Sequence, residues 1–284
     1  MKRILITGKN SYVGNSFEKW LGNYPNHYEV KKVSLRDGLW KKYDFTQYDV
    51  VLHVAGIAHR KETKENEQLY YKVNRDLAYE VAKKAKSEGI PHFIFLSSMS
   101  VYGMDEGVIY QNTRPNPNSN YGKSKLEAEE LIDSLKDESF SIATLRPPMI
   151  YGRECKGNYP RLANIALKAP MFPNVKNRRS MIYVDNLSEL IKVIIEFKLN
   201  GLYCPQNEEY INTSNLVWQI AQIHGRNVRL TKLFNPFIKY INHSIINKVF
   251  GDLMYDQNFS KIDKNYNVVD FVKSIHLTES MENR

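Results

Sequence analysis

Tyr121 and Lys125 stand four residues apart in the stretch "YGKSK", a spacing that puts both side chains on one face of a helix. A phenol with a pKa near 10 is a sluggish acid-base group at neutral pH, and an ammonium beside it stabilises the phenolate and lowers that pKa. The pair is therefore suited to moving a proton. The same spacing recurs at Tyr28 and Lys32, but that segment reads as a strand, where the two side chains are too far apart to cooperate. Placement distinguishes Tyr121. It follows a loop rich in Asn and Pro from about residue 103 to 120, soon after the apolar run "HFIFLSS" that ends at Ser98. Ligand crevices of open α/β sheets lie at such strand ends. Ser97 and Ser100 are close enough in sequence to exchange roles with Ser98, and each of the three has a plainer reading as a strand-end cap.

A second constellation opens the chain. In "ITGKNSYVGNSF", from Ile6 to Phe17, a strand runs into Gly8 and a helix starts near Val13 with Gly14 at its head, the geometry that sets a pyrophosphate on a helix N-terminus. Gly8 permits the tight turn and Gly14 lets helix and strand pack closely. The position between them, where backbone approaches phosphate, holds Ser11; its small side chain fits, and its hydroxyl can donate to the pyrophosphate. The end of the next strand decides which dinucleotide suits the turn. A free ribose 2′-hydroxyl calls for a carboxylate there, and a 2′-phosphate calls for its absence and a nearby arginine. In "YEVKKVSLRDG" the place falls on Ser34, with Arg36 two residues on. This favours NADP(H); NAD(H), with Asp37 as a displaced ribose ligand, is the alternative.

These groups need a scaffold. Arg3–Thr7 reads as a buried strand, Val13–Leu21 as a helix, Tyr28–Leu35 and Tyr48–Gly56 as strands, and about 65–88 as one helix with Leu69, Val73, Leu77, Val81 and Ala82 at helical spacing. A helix from Tyr121 and a strand up to Arg146 follow. Strands and helices thus alternate, and near-continuous apolar strands indicate a parallel sheet covered on both faces, the doubly wound α/β (Rossmann) class. This organisation spans residues 1–150, with a return segment at about 179–200. Residues 151–284 read mainly as a smaller substrate-binding lobe with helices near 159–168, 186–197 and 213–224.

The bulk numbers agree with a small-ligand protein. The 284 residues suffice for a sizeable core, and no apolar run approaches a membrane span. The N-terminus lacks the h-region of a signal peptide, which points to the cytoplasm. Cys155 and Cys204 stand 49 positions apart without clustered histidines, so neither a disulfide framework nor a metal site is suggested. A formal charge of +9 raises nucleic acid as a partner, but doublets such as Lys41-Lys42 and Arg178-Arg179 are scattered, which fits solvated faces and an anionic small ligand better.

Ordered along the chain, "TGKNSYVG", "DVVLHVAG", "VNRDLA", "FLSSMSVYG", "YGKSK", "LRPPMIYG" and "RSMIYVDN" resemble the extended short-chain dehydrogenase/reductase family, the NAD-dependent epimerase/dehydratase enzymes of nucleotide sugars. The resemblance covers about residues 1–235. It implies a dinucleotide site drawn from Gly8, Asn10, Ser11, Tyr12, Val13, Gly14, Ser34, Arg36, Asp44, Phe45, Val54, Ala55, Gly56, Asn74, Tyr121, Lys125 and Pro148, with Asp44 and Phe45 as an adenine-contacting pair. It implies that Tyr121 exchanges a proton with a sugar hydroxyl or carbonyl, Lys125 tunes it and holds the nicotinamide ribose, and Ser98 bonds the reacting oxygen. Substrate contacts are implied for Ser98, Ser100, Asn158 and Arg179, the last for the diphosphate. A homodimer is expected from the family alone.

Within that family, 4,6-dehydratases carry an Asp-Glu pair after the serine or threonine and epimerase-reductases a cysteine; here those places hold Met99 and Ser100, so both reactions are disfavoured. Reduction of an NDP-4-keto-6-deoxy sugar and 4-epimerisation are left. Ser34 and Arg36 put reduction first, with a UDP-linked N-acetylhexosamine as the expected sugar and an NAD-dependent UDP-hexose 4-epimerase as the alternative. A dinucleotide sensor without turnover is the minor alternative, and Tyr121 and Lys125 speak against it.

Overall fold

The computed structural model describes residues 1–58, 61–233, 235, 247 and 249–280. The chain divides into two compact units, 1–103 with 114–147 and 187–205, and 104–113 with 148–186 and 206–284. The sequence expectation is a boundary at 150 with a return segment at about 179–200. Residues 104–113 belong to the second unit, and the segment returning to the first is 187–205.

In chain order the first unit contributes β1 (Lys2–Thr7), α1 (Tyr12–Leu21), β2 (Tyr28–Val33), β3 (Val50–His53), α2 (Glu67–Tyr70), α3 (Leu77–Ser87) and β4 (His92–Leu96). A short β5 (Gly107–Ile109) of the second unit intervenes, and α4 (Asn120–Asp133) and β6 (Ser141–Leu145) follow. The rest are β7 (Met149–Tyr151), α5 (Asn158–Lys168), β8 (Met171–Pro173), β9 (Met181–Tyr183), α6 (Val184–Glu196), β10 (Gly201–Tyr203), α7 (Thr213–Ile223), β11 (Arg229–Thr231), β12 (Leu253–Tyr255), α8 (Gln257–Ser260) and α9 (Phe271–Glu279).

The first unit is built on a six-stranded sheet in the order β10-β6-β4-β3-β1-β2, and every neighbouring pair is parallel. Its central strands are apolar on both faces, as a sheet covered by helices on each side requires: all four residues of β3 and the last four of β1 are buried. Under α3 and α4, Val51, Phe93, Phe95 and Phe140 pack with Val81, Ala82, Ala85, Ala128 and Ile132. In the second unit, β7 pairs with β9, β8 with β11, and β5 with β12, all in parallel.

The helical stretch expected over 65–88 is present but not uniform. Between α2 and α3, residues Tyr71–Asp76 form a π-helix. The wider turn breaks the 3.6-residue stripe. Leu69, expected inside, is 36% exposed, and Asn74 is buried in its place. Among the described residues no helix is long and apolar enough to cross a membrane, and no group of three His, Cys, Asp or Glu is arranged to hold a metal ion.

Candidate active site

β1 runs into Gly8, which adopts φ +107°, a conformation open to glycine and strained for other residues. A Cβ there would stand 3.0 Å from the Ala55 nitrogen, and one at Gly14 would stand 3.0 Å from the Ile6 side chain and 3.2 Å from Val54. The turn and the start of α1 are therefore pressed against the ends of β1 and β3 with no room for side chains. Ser11 has ordinary extended dihedrals, φ −70° and ψ 134°, and caps α1 by accepting the Gly14 N–H at 3.4 Å. The glycine missing from this motif is not needed for conformation. Asn10, Tyr12 and Val13 complete the turn, and a helix N-terminus reached through a glycine-led bend fits a diphosphate.

Gly8 and Lys9 donate their N–H groups to the Val33 carbonyl at 3.0 and 3.2 Å, so the phosphate turn and the end of β2 are tied together. Ser34 follows directly, its hydroxyl accepting the Arg36 N–H at 3.3 Å. Arg36 is exposed. Asp44 is also exposed, its carboxyl held below the usual range by the Thr46 hydroxyl and N–H it accepts, at 2.6 and 2.8 Å. Phe45 departs from expectation. Its ring is 0% exposed within the core cluster, and its N–H goes to Glu88 at 2.7 Å. An aromatic beside a polar loop residue looks like a ligand platform in sequence, but burial of a whole phenyl ring stabilises the fold by a few kcal/mol, and that use wins here.

Tyr121 and Lys125 occupy the first two turns of α4, which packs closely on the turn after β4. Gly122 makes the approach possible: a Cβ there would fall 2.6 Å from the Ser100 carbonyl oxygen. Ser98 caps that turn, accepting the Ser100 N–H at 3.1 Å, and its side chain is near enough to the Tyr121 phenol to work against the rise in the phenol's pKa. The choice among the three serines follows. Ser98 meets Tyr121, and Ser100 accepts the Ser98 hydroxyl at 3.2 Å. Ser97 points the other way and donates to Glu129, which is clasped by Arg146. Alternation along an extended chain separates neighbouring serines into a site residue and a core residue.

The electrostatics differ from the simplest expectation. Burial pushes the Tyr121 phenol above its ordinary pKa, against the opposing effect of Ser98 and with a smaller contribution from Tyr70. Lys125 does not contact the phenol as an ion partner. Its ammonium donates to the Leu96 carbonyl at 2.7 Å and sits 4.7 Å over the Phe95 ring. Burial lowers its own pKa to about 8, with Glu129 working to raise it. The apolar shelf that holds Lys125 thus costs it charge. Nearby, Asn74 accepts the Ile57 N–H at 2.8 Å and donates to the Ile57 carbonyl at 3.1 Å and to Ser124 at 3.2 Å. A Cβ on Gly56 would meet the Asn74 amide oxygen at 3.0 Å and the Lys125 nitrogen at 3.4 Å. Asn74, Gly56 and Lys125 therefore converge. The decoy pair is dispersed: Tyr28 donates to Glu196, and Lys32 bridges to Asn15 and Glu18.

The lowered pKa of Lys125 has a stability signature. Between pH 8 and 10.5 the unfolded chain binds the proton that the folded chain has released, so stability rises with pH across that window and is depressed below it. Lys125→Met should therefore resist urea better than the wild type at pH 7, by about 2–3 kcal/mol. That difference should fade as the pH approaches 10.5. Equal stabilities at pH 7 would show that burial of the ammonium carries no cost.

The remaining expected substrate residues, with Pro148, lie in the second unit. Pro148 is buried, and Asn158 is exposed as the first residue of α5, behind Gly157 at φ +101°. Arg179 is partly buried, and burial lowers its pKa. Its guanidinium donates to the carbonyls of Asn247 and Gly251 at 3.0 and 2.8 Å, and the nearby carboxylates of Asp105 and Asp252 work against the lowering of its pKa.

Residues 4–203 match the model of a family described as NAD dependent epimerase/dehydratase. The chain is 32% identical over 249 residues to a UDP-glucose 4-epimerase of Vibrio cholerae, covering 78% of this chain and 75% of that protein. It is 31% identical over 253 residues to an N-acetyl-α-D-glucosaminyl-diphospho-ditrans,octacis-undecaprenol 4-epimerase of Escherichia coli O157:H7, covering 82% and 75%. Among solved structures, a UDP-glucuronic acid 4-epimerase from Bacillus cereus in complex with NAD superposes with a TM-score of 0.75 at 18% identity, over 98% and 97% of the two chains.

Proposed function

The chain belongs to the NAD-dependent epimerase/dehydratase family, and from that premise we propose that it inverts the C4 hydroxyl of a UDP-linked hexose or N-acetylhexosamine through a transient 4-keto sugar. The observation that carries the reading is the nearness of the Ser98 side chain to the Tyr121 phenol at the end of β4, with the Lys125 ammonium held one helical turn away. A nicotinamide dinucleotide supplies the hydride acceptor and donor. The protein's own groups handle the proton and the alignment.

Tyr121 takes the proton of the C4 hydroxyl as the sugar is oxidised and returns it when the ketone is reduced from the other face. Ser98 donates to the same oxygen and holds it beside the phenol. A phenol raised by burial is a poor base, so proton removal relies on positive charge arriving next to it. Lys125, already held at the Leu96 carbonyl, supplies part of that charge and the donor for a ribose. Asn74 fixes Ile57 and with it the chain that follows Gly56. Arg179 pairs with the diphosphate by charge-assisted bonds, and Asn158 is placed at a helix start, where anions are also favoured.

Both curated relatives compared above are 4-epimerases, which reverses the order that Ser34 and Arg36 alone set. Reduction of a 4-keto sugar by NADPH stays as the second reading because of those two residues: the end of β2 carries no carboxylate and presents an exposed arginine, which suits a 2′-phosphate.

The test is to offer UDP-glucose and UDP-N-acetylglucosamine to the purified protein without added reductant and follow C4 inversion by NMR. Inversion with no net change in nicotinamide absorbance supports epimerisation. Consumption of NADPH on a UDP-4-keto-6-deoxy sugar, without inversion of either hexose, replaces it with reduction. Arg36→Ala provides a check on the cofactor. It should weaken NADPH about tenfold, the loss of one charge-assisted contact, and leave NADH within twofold. Equal losses for the two would remove Arg36 from the 2′-phosphate.

A further inference from the structure

The catalytic helix is held at its first turn by a residue far from it in sequence. Glu62 accepts the Asn120 N–H at 2.9 Å with one carboxylate oxygen and the Tyr121 N–H at 3.0 Å with the other. Ser119 takes the Gly122 N–H at 3.1 Å, and the Ser119 carbonyl takes the Lys123 N–H at 2.9 Å. The Lys123 bond is the helix's first internal one; the three N–H groups before it, of Asn120, Tyr121 and Gly122, have no internal partner, and two of the three depend on Glu62. Local caps come from the residue just before a helix. This one reaches across 58 and 59 positions of sequence.

Glu62 is also presented rigidly. The Asn66 side chain donates to the Lys61 carbonyl at 2.9 Å and accepts the Thr63 N–H at 3.0 Å, closing a turn around it. Upstream, Asn74 grips Ile57 by both its N–H and its carbonyl. Residues that leave β3 beside Gly56 are therefore fastened at Ile57, and the turn at 61–66 is fastened to the residue whose side chain lies near Ser98. The backbone amide that Glu62 seizes is that of Tyr121 itself.

We propose that Glu62 is a positioning residue: its carboxylate latches the 61–66 turn to the head of α4 and thereby fixes the Tyr121 phenol against Ser98. The proposal rests on the reading of Tyr121 as the proton-transferring group. Loss of the latch frees the first turn of α4 without touching the phosphate turn at Gly8 or the Lys125 anchor on Leu96. The damage should fall on the chemical step and spare dinucleotide binding. A misplacement of about 1 Å in a reacting group can cost about 10²-fold in rate.

The experiment compares Glu62→Ala and Glu62→Gln with the wild type by kcat, KM, dinucleotide affinity from nicotinamide fluorescence, and the 19F spectrum of 3-fluorotyrosine placed at position 121. For Glu62→Ala the expected result is a kcat lower by about 10²-fold, with KM and dinucleotide affinity within threefold. Its 19F resonance should shift or split where the wild type gives one line. Glu62→Gln retains a single acceptor oxygen and should recover part of kcat. A helix cap that matters only for stability would lower the melting temperature and leave kcat and the 19F line unchanged below it, and that outcome overturns the proposal. So does a moved 19F line with kcat intact. If the wild type turns over no nucleotide sugar, the functional reading is what fails, and the 19F line alone then decides whether Glu62 fixes the phenol.

Discussion

Tyr121→Phe should lower turnover by about 10²–10⁴-fold, the range that a positioned proton-transfer group contributes, and leave dinucleotide affinity within about twofold. The substitution deletes one oxygen. The ring keeps its edge-to-face contact with Tyr70, 6.5 Å between centroids, so α4 has no reason to move. The loss should therefore appear in kcat, with equilibrium titration of the dinucleotide nearly unchanged. Because burial raises the phenol's pKa in the ligand-free chain, the wild-type rate should climb with pH until the phenolate forms in the complex. The Phe variant should be flat over the same range. Retained turnover in Tyr121→Phe would mean that another group carries the proton, and with it Ser98 and Lys125 would lose their assigned parts.

The second large effect is on stability. Glu129 and Arg146 are each only 9% exposed as side chains, and the guanidinium Nε lies 3.1 Å from both carboxylate oxygens. Arg146 also donates to the Tyr102 hydroxyl at 2.8 Å, and Ser97 donates to Glu129. Removing one partner of such a pair leaves a buried charge without its counter-charge, a loss of about 3–5 kcal/mol. Glu129→Ala should show this in urea unfolding. Replacing both residues, Glu129→Leu with Arg146→Met, should recover much of the loss, because matched apolar side chains can substitute for a buried ion pair. A single variant as stable as the wild type would show that water reaches the site and that the pair is not desolvated.

Much of the site could be read from residue order because its logic is local. The spacing of Tyr121 and Lys125 settles their shared face once the segment is known to be a helix, and Gly8 and Gly14 declare a tight turn with close helix–strand packing. Alternation β-α-β over the first half required a parallel sheet, and the six strands follow it. What could not be read depends on partners distant in sequence. Ser97 and Ser98 are equivalent until Glu129 and Arg146 claim one of them. Phe45 looks the same in sequence whether it serves a ligand or the core. The π-helical turn at 71–76 has no apolar period of its own, so a 3.6-residue stripe drawn through Leu69 runs one turn past the buried face. Glu62 offers no motif whatever; its partners are main-chain amides, which have no residue code. Pairing of β5 with β12 is likewise invisible, since three-residue strands carry too little pattern to find one another.

That last pairing has a consequence for how the polypeptide is made. Gly107–Ile109 has no strand partner until Leu253–Tyr255 has left the ribosome, and β6 acquires its outer neighbour only with Gly201–Tyr203. Neither unit can be completed by the nascent chain in order of synthesis; long-separated contacts of this kind slow folding and lengthen exposure of unpaired edges. Once Ser141–Leu145 has emerged and until Gly201–Tyr203 follows, the nascent chain displays a sheet with an open β6 edge.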